Sequence, residues 1–244
     1  MLDLAPIKAI TLDLDDTLWP VWPTIQRAEQ ALGDWLALHA PQTARLLAQP
    51  AARQEIRAQV NGLHPELQHN LSALRHKAIA LALSRSGDDP QLASAAFDIF
   101  YSERNRVTLF DDALGALAFL ARRFPLVALS NGNADVQRIG IGEFFRASIS
   151  AQQFGVGKPD PRIFQAAAQA AGVQPHEVLH VGDDAALDVL AAQACGMQAV
   201  WVNRTDQPWS HPAPPHLTVT SLAGLCALFV PDRAEFLPES PPCD

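Results

Sequence analysis

The chain has 244 residues, of which 48% are hydrophobic and 18% charged, so it can bury a sizeable core and is not disordered throughout. Its 18 basic and 26 acidic residues give a net charge of −8, which argues against nucleic acid or an anionic membrane as the main partner. The three cysteines are odd in number and widely spaced, so we expect neither a disulfide framework nor a zinc site.

The sequence carries no apolar run that approaches the roughly 18 residues of a membrane-crossing helix. Its first apolar run ends in carboxylates, which argues against a cleaved signal peptide. We therefore expect a soluble, cytoplasmic protein.

The first predicted element is a short buried strand within residues 10–17. Asp13 and Asp15 come where this strand ends, and ligands of open α/β sheets bind at the carboxyl ends of strands. Two carboxylates this close repel each other unless a cation or a proton compensates them. The pattern therefore favours a site over an ordinary acidic loop.

Residues 24–106 have helical spacing of their apolar side chains, interrupted by prolines, with no strand candidate. This pattern predicts a separate helical bundle inserted after the first strand. Arg75, Arg104 and Arg106 in this part are candidate substrate contacts, although a packing or solvated role is the simpler interpretation.

The rest of the chain alternates strands with helices. Nearly continuous apolar runs predict strands at residues 126–129, 147–150, 178–181, 198–202 and 217–219. A helix between them should be capped by Asp160, begin at Pro161 and end before Gly172. Strands of this kind form a parallel sheet covered on both faces. The predicted fold is a doubly wound α/β core with an inserted all-α domain.

Three of these strands deliver polar groups to the same edge of the sheet, and the following loop and helix add more. Carboxylates in excess of one lysine require a divalent cation, and all-oxygen ligands favour Mg²⁺ over zinc. Such a cradle suits phosphoryl transfer, in which one carboxylate is the nucleophile and another the general acid and base. The group consists of Asp13, Asp15, Ser130, Lys158, Asp183 and Asp188.

Four segments together resemble the motifs of the haloacid dehalogenase (HAD) superfamily, in the expected order. They are residues 13–17, the pair Ser130-Asn131, the pair Lys158-Pro159, and residues 182–184 with Asp188. The helical insertion is similar to the C1 cap of that family. The resemblance implies a Rossmann-like core of residues 1–18 and 108–244 and a cap of residues 19–107, while proline content predicts a loose tail at 231–244.

The resemblance also implies a role for each matching residue. Asp13 is the expected nucleophile and a metal ligand, and Asp15 the expected acid and base, with its main-chain carbonyl on Mg²⁺. Lys158 would hold the phosphoryl group and orient Asp13. The other expected roles are phosphoryl binding by Ser130 and the Asn131 backbone, metal ligation by Asp183, and support by Thr17, Asp184 and Asp188.

Family members that release halide lack an acid-base aspartate at the position of Asp15, so the resemblance favours a phosphatase acting on a small phosphorylated metabolite. Runs at residues 130–134, 180–184 and 196–199 are also similar to bacterial phosphatases that act on FMN or phosphorylated ribityl-aminouracil. A sugar phosphomutase with the same nucleophile and a non-catalytic binding protein remain alternatives.

Overall fold

Six strands form one parallel sheet in a computed structural model that describes residues 1–230; the predicted tail at 231–244 lies outside the described residues. Their order across the sheet is β3-β2-β1-β4-β5-β6. The strands are β1 (Ala9–Leu12), β2 (Leu126–Ser130), β3 (Ala147–Ser150), β4 (Val178–Gly182), β5 (Gln198–Val202) and β6 (Leu217–Val219).

Eleven α-helices of the described chain connect or follow these strands. Asp160 caps the ninth through a hydrogen bond to the Arg162 amide, Pro161 begins it, and left-handed Gly172 ends it, as predicted. The helices are α1 (Val21–His39), α2 (Pro41–Leu47), α3 (Pro50–Leu63), α4 (Leu71–Ser86), α5 (Ala93–Arg104), α6 (Ala113–Ala121), α7 (Val136–Ile139), α8 (Ala151–Phe154), α9 (Pro161–Ala171), α10 (Ala191–Ala194) and α11 (Leu222–Ala227).

The sheet is covered on both faces because its central strands are apolar at successive positions. Ile10 and Leu12 of β1 lie in one hydrophobic cluster with residues of α6 and α11. Val127 and Leu129 of β2 lie in the other, with residues of α9 and α10. Since successive side chains of a strand point to opposite faces, an uninterrupted apolar run fills both clusters. The predicted doubly wound α/β fold is confirmed.

The chain from α1 to α5 is helical and packs around its own apolar cluster, which includes Leu32, Leu36, Ile79, Leu83 and Phe100. The segments that enter and leave this helical insertion are joined by one main-chain hydrogen bond. The Phe110 amide donates to the Leu18 carbonyl at 2.9 Å. The division into a core and a cap at residues 18–19 and 107–108 stays a prediction.

Within the described chain, no helix combines the length and the apolar character needed to cross a membrane.

Candidate active site

Asp13 lies directly beyond the carboxyl end of β1. Its amide donates to the Val181 carbonyl at 2.9 Å, so the backbone still follows β4 while the side chain enters the site. Asp13 is buried, with a relative exposure of 7%, and its Oδ1 accepts a hydrogen bond from Lys158 Nζ. Burial raises the pKa of Asp13 well above its ordinary value, and the neighbouring Asp188 and Asp183 add to this effect although Lys158 opposes it.

Asp15 follows two positions later and is partly exposed. Its side chain retains 22% exposure, and Oδ1 accepts a hydrogen bond from the indole Nε1 of Trp19 at 2.8 Å. Arg104 Nη2 donates to both carboxylate oxygens, at 2.8 and 2.6 Å. Asp16 next to it adopts left-handed backbone geometry, with φ of 57°, and accepts a hydrogen bond from the Val21 amide where α1 begins.

The loop after β2 brings Ser130 and Asn131 to the same edge. Ser130 is buried, and its Oγ accepts a hydrogen bond from the Gly132 amide at 2.9 Å. The Asn131 side chain contacts the main chain of Lys158 instead of pointing toward Asp13: Nδ2 donates to the Lys158 carbonyl and Oδ1 accepts from its amide. Asn131 therefore fixes the loop that carries the lysine.

Lys158 lies between two buried carboxylates. Its Nζ contacts Asp13 Oδ1 and donates to Asp188 Oδ1 at 2.5 Å, and its side chain has only 3% exposure. Burial alone would lower the pKa of Lys158, but Asp13 and Asp188 outweigh that effect and raise it, so the ammonium is charged. An ammonium with two anionic partners is held in one place.

A buried chain of hydrogen bonds continues from Lys158 through Asp188 and His180 to Thr11. His180 Nε2 lies 3.1 Å from Asp188 Oδ1, and His180 Nδ1 lies 2.7 Å from Thr11 Oγ1. Burial lowers the pKa of His180, so its imidazole is neutral; Nε2–H donates to the carboxylate and Nδ1 accepts from the hydroxyl. His180 in β4 is therefore a buried core residue that also contacts the site through Asp188.

Three carboxylates converge in the described part of the chain as a group able to hold a metal ion. Oxygen atoms of Asp13, Asp183 and Asp188 lie within 4.8 Å of one another. Burial raises the pKa of Asp183 to about 7, with Asp188 and Asp16 contributing. Both oxygens of Asp188 already accept hydrogen bonds, whereas Asp13 and Asp183 have more free acceptor capacity. This all-oxygen donor set fits a hard divalent cation.

Thr17 and Asp184 differ in how they relate to this group. Thr17 is buried and its Oγ1 donates to Asp183 Oδ1 at 3.3 Å. Asp184 is exposed, and its carboxylate accepts from the amides of Ala186 and Leu187 at 2.8 Å, capping the helical turns of residues 185–190. The structure therefore brings Thr17 to the cluster and leaves the Asp184 side chain outside it.

Arg104 is one of the three arginines that the sequence offered as candidate substrate contacts, and its place beside Asp15 was not predicted. It comes from the end of α5, 89 positions from Asp15, and has 1% relative exposure. Its place in a helical stretch with ordinary periodicity gave no signal beyond its charge. The geometry makes it part of the site through the Asp15 carboxylate.

Comparison with known proteins agrees with this geometry. A family model described as haloacid dehalogenase-like hydrolase matches residues 7–196. The chain is 34% identical to the 5-amino-6-(5-phospho-D-ribitylamino)uracil phosphatase YigB of Escherichia coli K12, covering 92% of this chain and 97% of that protein. It is 37% identical to a phosphoserine phosphatase of Thermus thermophilus over 61% of this chain and 62% of that one.

A solved structure with the same fold covers most of the chain. It is described as 2-haloacid dehalogenase from Pseudomonas syringae pv. Tomato, and the chains share 37% sequence identity with a TM-score of 0.87. The match covers 91% of this chain and 98% of that chain. The relatives therefore carry both phosphatase and dehalogenase names on one fold.

Proposed function

This chain belongs to the haloacid dehalogenase-like hydrolases and is an enzyme of that family, and from this premise we propose that it hydrolyses phosphate monoesters of small metabolites. The observation that carries the proposal is the buried contact of Lys158 with Asp13, beside a second carboxylate, Asp15, at the same strand end. The reaction needs a nucleophile, a cation for the phosphoryl oxygens and an acid-base group, and Asp13, Lys158 and Asp15 would supply them in that order.

In the proposed first step, a carboxylate oxygen of Asp13 attacks phosphorus and the bond from phosphorus to the ester oxygen breaks. Asp15 gives its proton to the departing oxygen, which leaves as an alcohol. In the second step water attacks the aspartyl-phosphate, the bond from phosphorus to Asp13 breaks, and Asp15 takes the proton from water. Lys158 and the Ser130 hydroxyl would stabilise charge on the phosphoryl oxygens throughout.

We also propose that the reaction depends on Mg²⁺. Asp13, Asp183 and the main-chain carbonyl of Asp15 would hold the ion, with Asp188 fixing Lys158 beside it. Three clustered carboxylates, two of them buried, against one ammonium leave negative charge uncompensated, which supports a cation there. When bound, Mg²⁺ would neutralise charge that develops on the phosphoryl group.

The proposed substrate is a small phosphorylated metabolite, with FMN and phosphorylated ribityl-aminouracil as the first candidates. The proposed location of the enzyme is the cytoplasm. The relative from Escherichia coli, which is similar along nearly its whole length, supports the phosphorylated ribityl-aminouracil by its name. The helical insertion would cover the leaving group and exclude bulk water during turnover.

A dehalogenase is the second candidate, because the similar solved structure from Pseudomonas syringae carries that name. Halide leaves as a stable anion and needs no proton, whereas an alkoxide must be protonated as it leaves. Asp15, partly exposed next to the buried Asp13, supplies a group that only the phosphate ester would need. Asp15 therefore favours the phosphatase.

The test is phosphate release from a panel of phosphate esters that includes FMN, with and without Mg²⁺, and halide release from 2-chloropropionate. Wild type, Asp13→Asn and the exposed control Asp98→Asn should be compared. We expect Mg²⁺-dependent phosphate release that falls by at least about 10³-fold in Asp13→Asn and is unchanged in Asp98→Asn. Halide release instead would establish the dehalogenase, an isomerised sugar phosphate would indicate a mutase, and no turnover at all would indicate a binding protein.

A further inference from the structure

The Asp15 carboxylate is held by two groups that lie outside the four motifs. Trp19 Nε1 donates to Oδ1, and Arg104 Nη2 donates to both oxygens. The carboxylate oxygens accept all of these bonds, so an indole and a guanidinium together fix the orientation of the Asp15 side chain. An acid-base residue must be held in this way to meet the reacting oxygen.

Arg104 reaches Asp15 from the helical insertion, and its neighbour anchors it to the core. Asn105, also buried, accepts a hydrogen bond from the Asp135 amide at 2.7 Å and donates to the Tyr101 carbonyl at 2.8 Å. The end of α5 is therefore tied to the loop after β2. The guanidinium has a defined position relative to the sheet edge.

The arrangement is not explained by stability alone. Arg104 Nη1 is the one buried side-chain nitrogen or oxygen, among the residues that the structure describes, without a hydrogen-bond partner. An unpaired buried donor costs free energy of folding, and native structures keep such groups mainly where they serve another purpose. The guanidinium therefore donates to Asp15 through Nη2, while its Nη1 has no hydrogen-bond partner in the described chain.

The neighbouring main chain restricts the position of the Asp15 carboxylate. A Cβ built on Gly132 would lie 2.5 Å from Asp15 Oδ2 and 3.3 Å from Arg104 Nη2. The main chain at Gly132, in the loop after β2, therefore lies close to both the Asp15 carboxylate and the Arg104 guanidinium. A carboxylate confined in this way can act on one position in the site.

We infer, on the basis of the proposed phosphatase function, that Arg104 is a positioning residue that holds the Asp15 carboxylate in place for the second, hydrolytic step. In that step Asp15 accepts the proton of the water that attacks the aspartyl-phosphate. For an ester whose leaving group departs without a proton, loss of the guanidinium should therefore slow hydrolysis of the intermediate more than its formation. Displacement of a reacting group by about 1 Å can cost as much as about a hundredfold in rate.

The experiment separates the two steps with p-nitrophenyl phosphate, whose leaving group departs readily without a proton. Arg104→Met should release about one nitrophenolate per active site in a rapid burst and then turn over about tenfold to a hundredfold more slowly than wild type. Arg104→Lys should recover part of the slow rate, because it retains a cation. With FMN, or the best alkyl phosphate of the panel, the loss should also appear in kcat more than in KM.

Arg85→Met is the matched control, because Arg85 also pairs with a carboxylate, Glu55, but within the helical insertion. We expect wild-type kinetics from it. If Arg104→Met behaves as Arg85→Met does, or loses rate equally in both steps without a burst, the inference is wrong. If Arg104→Met does not fold, the same assay on Arg104→Gln decides, since wild-type kinetics without the cation would overturn the inference. A wild-type protein inactive on all esters would refute the proposed function instead.

Discussion

The side chain of Asn131 holds the main chain of Lys158 from both directions. Nδ2 donates to the Lys158 carbonyl at 2.8 Å, and Oδ1 accepts from the Lys158 amide at 2.7 Å. These bonds join the loop after β2 to the loop before α9, 27 positions along the chain. The residue that follows β2 therefore sets where the ammonium enters the site.

Asn131→Ala should reduce activity because Lys158 loses both main-chain bonds. We expect kcat to fall at least about tenfold, and the free energy of unfolding to fall by about 1–3 kcal/mol. Phosphate-release kinetics and urea unfolding measure the two effects. The exposed Asn61→Ala serves as a control and should alter neither. Wild-type turnover by Asn131→Ala would show that the lysine does not depend on this amide.

Gly132→Ala tests how tightly the Asp15 carboxylate is confined. The added methyl group would lie 2.5 Å from Asp15 Oδ2 and 3.2 Å from Ser130 Oγ, so the carboxylate must move. We expect activity to fall about tenfold or more, with a much smaller effect on thermal unfolding.

Gly115→Ala is the control for this change, because a Cβ there meets nothing within 4 Å and the residue lies inside α6. It should leave activity unchanged and stabilise the protein by up to about 1 kcal/mol. An active Gly132→Ala enzyme would show that Asp15 tolerates displacement.

The strands and the sheet edge could be predicted because the central strands β1, β2, β4 and β5 are short, nearly continuous apolar runs followed by polar residues. The sequence could not distinguish Asp184 from Asp188 as the carboxylate that supports the site after β4. Asp184 accepts amide hydrogen bonds of the next turn, so its side chain turns outward. Asp188 lies one turn later, and its Oδ2 returns to the Asp184 amide while Oδ1 meets Lys158. Only the path of the backbone decides this.

Arg104 illustrates the other limit. Helical periodicity reports which face of α5 is apolar, but it does not report how the insertion lies on the core. The contact with Asp15 joins positions 89 apart and depends on that placement. The charge alone made Arg104, Arg75 and Arg106 equal candidates, and burial separates them, since the Arg106 side chain is 73% exposed and pairs with Glu103.

Asp112 should make stability depend on acid pH. Burial acts to raise its pKa, but Arg204 and the Leu222 amide outweigh burial and hold the pKa below its ordinary value. A carboxyl whose pKa is lower in the folded state stabilises the protein above the pKa of the unfolded chain, which is about 3.9. That contribution is lost as the pH falls through the folded-state pKa.

Asp112→Asn should therefore lower the free energy of unfolding at pH 7 by about 1–3 kcal/mol, and the difference from wild type should shrink below about pH 4. Urea unfolding across this range measures it. The exposed neighbour Asp111, changed to Asn, controls for the loss of charge. A difference that stays constant with pH would show that ionisation of Asp112 is not involved.

Magnesium should change thermal stability through Asp183. Burial and nearby carboxylates raise the pKa of Asp183 to about 7, so its ionised form is disfavoured without a cation. A ligand at a hundred times its Kd stabilises the folded state by about 2.7 kcal/mol, which corresponds to about 5–10 °C in Tm for a protein of this size. Wild type should show this shift, and a chelator should reverse it.

Asp183→Asn should lose the Mg²⁺ shift yet match or exceed the Tm of wild type in chelator, because one of three clustered carboxylates is removed. The order of stability of the two proteins should then invert when Mg²⁺ is added. Asp98→Asn, an exposed site on α5, should follow wild type in both conditions. Scanning fluorimetry with and without Mg²⁺ gives all six Tm values. Equal Mg²⁺ shifts in Asp183→Asn and wild type would mean that the ion binds away from this carboxylate.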